Sequence, residues 1–466
     1  MRRGRRSSPS WPPSRRRRAG RSDVCARVSA ASRTSRNFSY GGRVNSMTSP
    51  DAPTASPTWL DDRRQAVSRR IGDPVLPSTE EEVWRYSRIG ELDLADWSTV
   101  AEPAERGLPA GIEAILAAVP ERAATVVVRN GFIVHSEVEL TWSERGLYVG
   151  ALVSGPEAET ALGSVSGDGI DVFSQLNDVN SADPILISVP RGLTVDAPVV
   201  LIDWIDIEGC AVYPRLVIRV GANADVKVLD WHGSADVSAF VAPVVELDLA
   251  HAARLGYGSV QMRGPRIWQV ASQVSHVMAD ATLTSSHVAL GGDYARARTD
   301  CRLIGKGATG NLQAIYFGEN EQTLDFRTFQ KHDAPKTTSN LLFKGAVDDH
   351  SRSVYTGLIK VEKVATGTNA FQTNRNLKLS EHAWAESVPN LEIETNDVKC
   401  SHASTVGPVD LEQLFYLESR GVPTDVAERL VVAGFFQEVL EAFPVPGVVG
   451  LVNDAIEQRL DRRSER

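Results

Sequence analysis

Cysteine is scarce in this sequence, which has four in 466 residues, at positions 25, 210, 301 and 400. No C-x-x-C pair and no dense spacing occurs, which argues against both a disulfide-stapled scaffold and a structural zinc site. Sparse, unpaired cysteines are typical of a reducing compartment, so we expect a cytoplasmic location.

Long apolar runs are also lacking, since no stretch approaches the ~20 residues that cross a bilayer. With 42% hydrophobic and 23% charged residues, the composition is that of a globular protein. We therefore predict no membrane partner. The length allows two to four domains, or one elongated repeat-like domain with end caps.

Acidic and basic residues are unevenly distributed along the chain. Residues 1–46 hold 13 arginines and one acid, Asp23, a local charge of +12 in a chain whose net charge is −9. The remainder carries 37 basic and 58 acidic groups, a net charge of −21. Because so acidic a body repels phosphate backbones, we predict no nucleic-acid partner.

The first 58 residues are predicted to be a disordered or non-native extension. Residues 1–46 are rich in Arg, Ser and Pro and lack the apolar segment of a secretory signal. One interpretation is an organelle transit peptide, which would place the protein in a plastid. The interpretation we favour is that translation starts at Met47.

Several signatures of enzymes are missing. The sequence has no G-x-x-x-x-G-K-[ST], no H-E-x-x-H and no G-x-S-x-G, so the chain is not itself a P-loop ATPase. Residues 305–310, GKGATG, match G-x-G-x-x-G, but a dinucleotide site needs a helix directly after this loop. Because the following NLQAIYFG is β-like, we predict a plain turn.

The pattern of apolar residues divides the chain into three regions. Residues 59–124 are mostly helical in pattern, residues 125–407 are short β-rich runs split by Gly, Asn, Asp and Thr, and residues 408–466 are helical. No crossover helices separate the β-rich runs, which argues against an α/β fold. The pattern predicts a mainly β protein but leaves solenoid, sandwich and barrel open, because the turn-like joints show no fixed period.

Helices are predicted at both ends of this β region. Ser78 or Thr79 is expected to cap one helix, and residues 110–119 to form another. Three amphipathic helices are predicted near the C-terminus, over 411–421, 422–443 and 449–460. Their apolar stripes either pack on each other or dock a partner, and amphipathicity does not separate these alternatives.

One pair of residues combines a thiol with an imidazole, namely Cys400 and His402. Residues i and i+2 of a strand point to the same face, so both side chains could converge on one ligand, with Lys399 facing the other way. A thiolate and an imidazole suit iron–sulfur species, zinc or copper. Two ligands do not close a site, so the pair is either part of a site completed elsewhere or packed in a core.

From Lys344 onward, linked motifs resemble the SufB/SufD family, the scaffold subunits of the SUF machinery for iron–sulfur cluster assembly. The motifs are KGAVDDHSRSVYTGLIKV, FQTNRNLKLSE, VPNLEIETNDVKCSHASTVGPVDLEQLFYLESRGV and LVVAGFFQEVL. EEVWRYS, at 81–87, resembles an N-terminal segment of the family. The resemblance covers residues 59–450.

Within this family the chain resembles the SufD branch. The SufB branch carries a sulfur-accepting cysteine where FQTNRNL has Asn374, and a glutamate after its histidine where this sequence has Ala403. PNLEIETNDVKCSH is similar to the SufD pattern. One departure is HAST at 402–405, where the family usually has HGAT.

The resemblance implies a right-handed parallel β-helix core over 125–407, flanked by helical regions. It implies a complex with a SufB-type chain and a SufC-type ABC ATPase, so the chain itself is a non-catalytic scaffold without an ATP site. His402 is then expected to bind a transient iron–sulfur cluster shared with the SufB-type chain, with Cys400 as a helper. ATPase docking is expected on the C-terminal helices, through Leu414, Phe415, Leu430, Phe435 and Phe436.

Two other hypotheses remain. A β-solenoid carbohydrate-active enzyme would need clustered carboxylates on adjacent strands. The available carboxylates are Asp348, Asp349, Glu392 and Glu394. A SufB-like chain would instead accept sulfur itself as a persulfide, for which the candidate thiols are Cys210, Cys301 and Cys400. The resemblance leaves open flavin use, the cluster type, and pairing of two such chains without SufB.

Overall fold

The computed structural model describes residues 56–103, 105–167 and 169–464. Residues 1–55 lie outside the described part, and with them the alternative start at Met47 and nearly all of the predicted extension. None of the described helices is long and apolar enough to cross a membrane.

β-strands make up the largest share of the secondary structure in the described chain and wind into a parallel β-solenoid. Its strands are rich in Val, Ile, Leu, Tyr and Phe, which fit a pleated and buried surface. The strands are β1 Ser98–Thr99, β2 Ala124–Arg129, β3 Phe132–Val138, β4 Tyr148–Ala151, β5 Ile185–Val189, β6 Val199–Ile205, β7 Cys210–Val212, β8 Arg215–Val220, β9 Asp225–Ser234, β10 Ala239–Val241, β11 Val244–Leu249, β12 Arg254–Met262, β13 Ile267–Val277, β14 Thr282–Ala289, β15 Tyr294–Leu303, β16 Thr309–Gly318, β17 Thr323–His332, β18 Thr338–Val347, β19 Arg352–Val361, β20 Thr368–Lys378, β21 Trp384–Ile393 and β22 Val398–Gly407.

Helices flank the solenoid and interrupt it near its start. The α-helices are α1 Thr58–Ile71, α2 Glu113–Ala118, α3 Leu140–Ser143, α4 Ala158–Ala161, α5 Val172–Asn180, α6 Leu411–Ser419, α7 Thr424–Glu441 and α8 Val449–Ser464. Short 3₁₀ helices lie at Glu82–Trp84, Ile89–Glu91, Leu94–Asp96, Leu152–Ser154 and Pro446–Val448. The prediction of a mainly β protein, a parallel β-helix between helical ends, is confirmed.

From β11 onward, successive strands alternate between two sheets, so each coil adds one strand to each sheet. The first sheet runs β4-β5-β8-β11-β13-β15-β17-β19-β21, and the second runs β3-β2-β6-β9-β12-β14-β16-β18-β20-β22. Only β2–β3 and β4–β5 pair antiparallel in the described part. From β9 onward, strands of the second sheet begin at residues 225, 254, 282, 309, 338, 368 and 398, which is every 27 to 30 residues. The inference that there is no fixed period was therefore wrong.

A left-handed backbone residue marks most corners that lead into the second sheet. It stands two residues before the strand, at Asn223, Ala252, Asp280, Gly307 and Lys336. Gly, Asn and Asp adopt positive φ most easily, whereas Ala and Lys rarely do, which hides the repeat from sequence reasoning. GKGATG is confirmed as such a corner, because Gly307 has φ +75° and β16 follows it.

The predicted N-terminal helix after Ser78 or Thr79 was wrong. That segment contains short 3₁₀ turns, Glu82–Trp84 and Ile89–Glu91, because it packs against the flank of the first sheet. Arg296 donates to the Val83 carbonyl at 2.8 Å and its guanidinium stacks on the Trp84 ring at 4.0 Å. These tertiary contacts replace the hydrogen bonds of a helix.

The region 125–407, predicted to be the β-helix core, contains the helical insertion α3–α5. Buried Glu246 of β11 holds this insertion on the first sheet. Its carboxylate accepts backbone N–H groups of Gly163, Val165 and Ser166 at 2.9 to 3.0 Å, and pairs with Arg215 at 2.5 Å. Because these contacts span about 80 residues of sequence, helical periodicity did not reveal them.

The predicted C-terminal helices are confirmed as α6, α7 and α8. Their inner stripe packs on the outer face of the second sheet and forms one core with it. The buried residues of this stripe include Val432, Phe436, Val439, Phe443, Val452 and Ile456. Lys344 of β18 adds an ion pair to Glu438 of α7, with 2.7 Å between nitrogen and oxygen. The helices are thereby fixed on the outer face of the second sheet.

Candidate functional site

The candidate pair lies on β22, the last strand of the solenoid. Among the described residues β22 pairs only with β20, so its other edge is open. The register sets Cys400 beside Ala370 and His402 beside Gln372. Ala370 and Gln372 are buried on the interior face, so Cys400 and His402 share that face and Lys399 lies on the opposite one.

Cys400 is half-buried at the end of the interior. It packs against a small apolar cluster formed by Ile359, Val361, Ala365 and Ala370. Burial raises the pKa of the Cys400 thiol, which favours the protonated form. A metal ligand must be the thiolate, so in the free chain this cysteine is better suited to packing than to ligation.

His402 is exposed, in contrast to the interior side chains of the preceding coils. Within the described part of the chain, no group of three or more His, Cys, Asp or Glu residues is placed to hold a metal ion. The pair is therefore an incomplete site in this chain. Its open side is the unpaired edge of β22.

Asn374, at the position where the resemblance implies a cysteine in the SufB branch, belongs to a buried hydrogen-bond network. Its side-chain nitrogen donates to the Tyr316 hydroxyl at 2.9 Å, and its oxygen accepts from Asn376 at 2.8 Å. The Tyr316 hydroxyl in turn donates to Asn376 at 2.6 Å. This network is complete without a thiol and fixes three interior side chains in place.

Two further cysteines are poor sulfur acceptors. Cys210 and Cys301 are both buried, and burial raises the pKa of each thiol to about 11. Since the thiolate is the nucleophile, these side chains are nearly inert near neutral pH. Cys25 lies outside the described residues.

The four carboxylates considered for carbohydrate chemistry do not form one site. Asp348 and Asp349 lie in the turn before β19, whereas Glu392 and Glu394 lie beside its far end, where Lys360 pairs with both at 3.5 and 3.9 Å. A ten-residue strand separates the two pairs by roughly 30 Å. Paired carboxylates of glycosidases lie within about 10 Å of each other, so this arrangement argues against that hypothesis.

The residues predicted for docking divide into three groups. Phe415 and Leu430 are 71% and 52% exposed, as a docking surface requires. Leu414 and Phe435 are partly buried against the helix–sheet core. Phe436 is 1% exposed, so its assignment to the docking surface was wrong: the buried stripe of α7 runs through Val432 and Phe436 rather than along the predicted side.

Other exposed apolar side chains of the same helices were missed. Leu411 and Tyr416 on α6 and Val426 on α7 join Phe415 and Leu430 as large hydrophobic residues open to solvent. We call these five residues the C-terminal apolar surface. The i, i+4 spacing of Leu411 with Phe415 and of Val426 with Leu430 was visible in the sequence, but which stripe faces the solenoid was not.

Gln372 is a second residue that sequence reasoning missed. It is the in-register neighbour of His402, is 1% exposed, and neither atom of its amide has a hydrogen-bond partner. The available signal was the alternation in FQTNRNL, which places Gln372, Asn374 and Asn376 on one face of a strand.

Comparison with known proteins adds to this geometry. A family model described as "SUF system FeS cluster assembly, SufBD core domain" matches residues 204–435. The chain is 35% identical over 334 residues to an iron–sulfur cluster assembly SufBD family protein of Mycobacterium tuberculosis, covering 69% of this chain and 82% of the relative. The chain belongs to the SufBD family.

Other SufBD relatives extend this likeness along the chain. A SufBD family protein of Mycobacterium leprae is 30% identical over 417 residues, which covers 87% of this chain and 96% of the relative. Iron-sulfur cluster assembly protein SufD of Escherichia coli is 30% identical over 330 residues, covering 68% and 78% respectively. The SufBD core match begins in β6 and ends in α7, so it includes β22 with Cys400 and His402.

Proposed function

We propose that this chain is a SufD-type scaffold whose terminal coil, formed by β21 and β22, joins a SufB-type chain to build an iron–sulfur cluster. The observation that carries the proposal is the open edge of that coil. No residue of β21 or β22 is buried, although both are ten-residue strands of a continuous solenoid. Long unpaired edge strands are normally protected or covered, and a second solenoid end would cover this one.

The assignment to the SufD type rests on Asn374 and on the buried thiols. The Asn374 side chain is hydrogen-bonded to Tyr316 and Asn376. Burial raises the pKa of the Cys210 and Cys301 thiols, so both stay protonated at neutral pH. A sulfur-accepting thiolate is then to be expected from the partner. This chain supplies His402, and the partner supplies the remaining ligands of the nascent cluster, which is the cargo of the complex.

The C-terminal apolar surface is the proposed docking site for a SufC-type ABC ATPase. It gathers five exposed large hydrophobic side chains on two adjacent helices, and such patches commonly mark protein interfaces. The ATP site would lie in that partner, so the chain would have no turnover of its own. We place the complex in the cytoplasm, or in a plastid should residues 1–46 act as a transit peptide.

The test of the cluster site is anaerobic co-purification with SufB-type and SufC-type partners, followed by assay of iron and acid-labile sulfide. His402→Ala is expected to leave the complex intact and to lower both contents several-fold, because a cluster ligand is lost. Ser404→Ala, two residues further on the same face, is the control. Equal iron and sulfide in wild type and His402→Ala would refute a cluster role for His402.

The test of the docking surface uses the same purification. Phe415→Asp and Leu430→Asp are each expected to reduce the recovered ATPase at least tenfold, because a buried unpaired charge opposes association. Leu108→Asp is the control, since Leu108 is 53% exposed and lies outside the C-terminal helices. Full recovery of the ATPase with both helix variants would exclude this surface.

A further inference from the structure

The side-chain amide of Gln372 is the starting point. Its residue is 1% exposed, and neither Oε1 nor Nε2 has a hydrogen-bond partner among the described residues. Buried amides are nearly always hydrogen-bonded, because an unsatisfied one forfeits its bonds to water without replacement. A buried amide without hydrogen bonds therefore indicates that it bonds to a group which it does not contact in this conformation.

The surroundings of this amide leave one polar neighbour in register. On the inner side, Gln372 pairs with Leu341, which has no polar side-chain atom. On the outer side it pairs with His402, whose imidazole has two ring nitrogens. Adjacent strands lie about 4.8 Å apart and both side chains share one face, so amide and imidazole are within reach of each other.

The facing sheet keeps space for the amide. A Cβ at Gly357 would lie 2.4 Å from Nε2 of Gln372 and 2.3 Å from the Tyr355 hydroxyl. That hydroxyl is already hydrogen-bonded to Thr328 at 3.0 Å. Glycine at 357 therefore leaves room for both groups, because any side chain there would collide with the amide and the hydroxyl.

We propose that Gln372 is a positioning residue for His402. Its Oε1 accepts the N–H of one imidazole nitrogen, which fixes the tautomer and directs the lone pair of the other nitrogen to the open edge of β22. Ligating histidines are commonly oriented through their second nitrogen in this way. The inference rests on the proposed function for its purpose. The structure places the two residues in register without a hydrogen bond between them, and a side-chain rotation of His402 within the free chain would form it.

The decisive measurement is therefore made on the free chain. With ¹⁵N-labelled histidine, the ring nitrogen shifts of His402, assigned by their loss in His402→Ala, report its tautomer. Wild type is expected to show one dominant tautomer, and Gln372→Leu a mixture like that of free imidazole. Gln372→Glu, which keeps an acceptor oxygen, is expected to restore the wild-type pattern. Should Gln372→Leu fail to fold, Gln372→Met removes the same polar atoms at similar length.

Gln330→Leu is a matched control. Gln330 is also 1% exposed with both amide atoms unpaired, but its in-register neighbours are Cys301 and Ile359. It is expected to leave the His402 signals unchanged. Identical His402 tautomers in wild type, Gln372→Leu and Gln330→Leu would overturn the inference.

Cluster content separates this inference from the proposed function. In the purified complex, Gln372→Leu is expected to lower iron several-fold and Gln330→Leu to leave it unchanged. If His402→Ala loses its cluster while Gln372→Leu keeps both cluster and tautomer, only the positioning role fails. If His402→Ala keeps its cluster, the proposed function fails whatever the tautomer shows.

Discussion

The inner coil of β16 and β17 and the terminal coil of β21 and β22 are built alike but differ in what surrounds them. Both consist of ten-residue strands in parallel register. Eight of the ten residues of β17 are buried, whereas none in β21 or β22 is. The inner strands have a paired strand on each side, and the terminal strands have one. Burial in a solenoid is thus decided by the next coil as much as by the strand itself.

The difference also appears in the side chains that face the interior. The inner coils stack aromatic rings there, with Tyr316, Phe326 and Phe343 at centroid distances of 4.5 and 5.8 Å. At the equivalent face of β22 stand Cys400, His402 and Ser404. No further strand covers this face of β22 among the described residues, which is why we propose that a partner covers it.

The largest difference in stability is expected when a buried carboxylate and an exposed carboxylate are each removed. Glu246→Ala should lower the free energy of unfolding by about 3–5 kcal/mol, because buried Arg215 keeps only its ion pair with Asp178 and three backbone N–H groups lose their acceptor. Glu392→Ala, on β21, removes an exposed ion pair with Lys360 and should cost less than about 1 kcal/mol. Urea unfolding of both variants measures the difference. Similar losses would show that the terminal coil is as tightly packed as the inner ones.

A smaller effect is expected from two glycines. A Cβ at Gly345 of β18 would lie 1.9 Å from the Tyr316 ring, which is held by Asn374 and Asn376. Gly345→Ala should therefore destabilise by about 1–3 kcal/mol through overpacking. At Gly407 of β22 nothing lies within 4 Å, so Gly407→Ala should change stability by less than about 0.5 kcal/mol. Thermal unfolding of each variant tests this, and a destabilised Gly407→Ala would contradict an open terminal coil.

The sequence was sufficient for those features that depend on local pattern. The β-rich runs, the C-terminal helices and the shared face of Cys400 and His402 follow from periodicities of 2 and 3.6 residues. The regular coil length was not visible, because Ala252 and Lys336 occupy left-handed corners that Gly or Asn would have marked. The burial of Phe436 was not visible either, because an amphipathic pattern does not show which apolar stripe of a helix packs against the rest of the protein.

The smallest expected effect concerns acid sensitivity and a histidine of the inner coils. His332 is fully buried between the hydroxyls of Thr337 and Ser339, at 2.7 and 2.9 Å, and burial lowers its pKa to about 4. Between pH 6.5 and pH 4 the unfolded chain therefore binds a proton that the folded chain does not. The contribution of His332 to stability is present above pH 6.5 and is lost as the pH falls towards 4.

From pH 7 to pH 5, wild type should thus lose on the order of 1–2 kcal/mol more stability than His332→Gln. The variant is less stable at pH 7, but it has no titrating side chain at position 332. Gln330→Leu is the control, because it disturbs the same strand and keeps His332, so its loss between the two pH values should match that of wild type. His287, whose pKa burial also lowers to about 4, is common to all three proteins and cancels. Equal losses of stability in wild type and His332→Gln would mean that water reaches the interior of the inner coils. The inner and terminal coils would then differ in how tightly they pack but not in whether they exclude water.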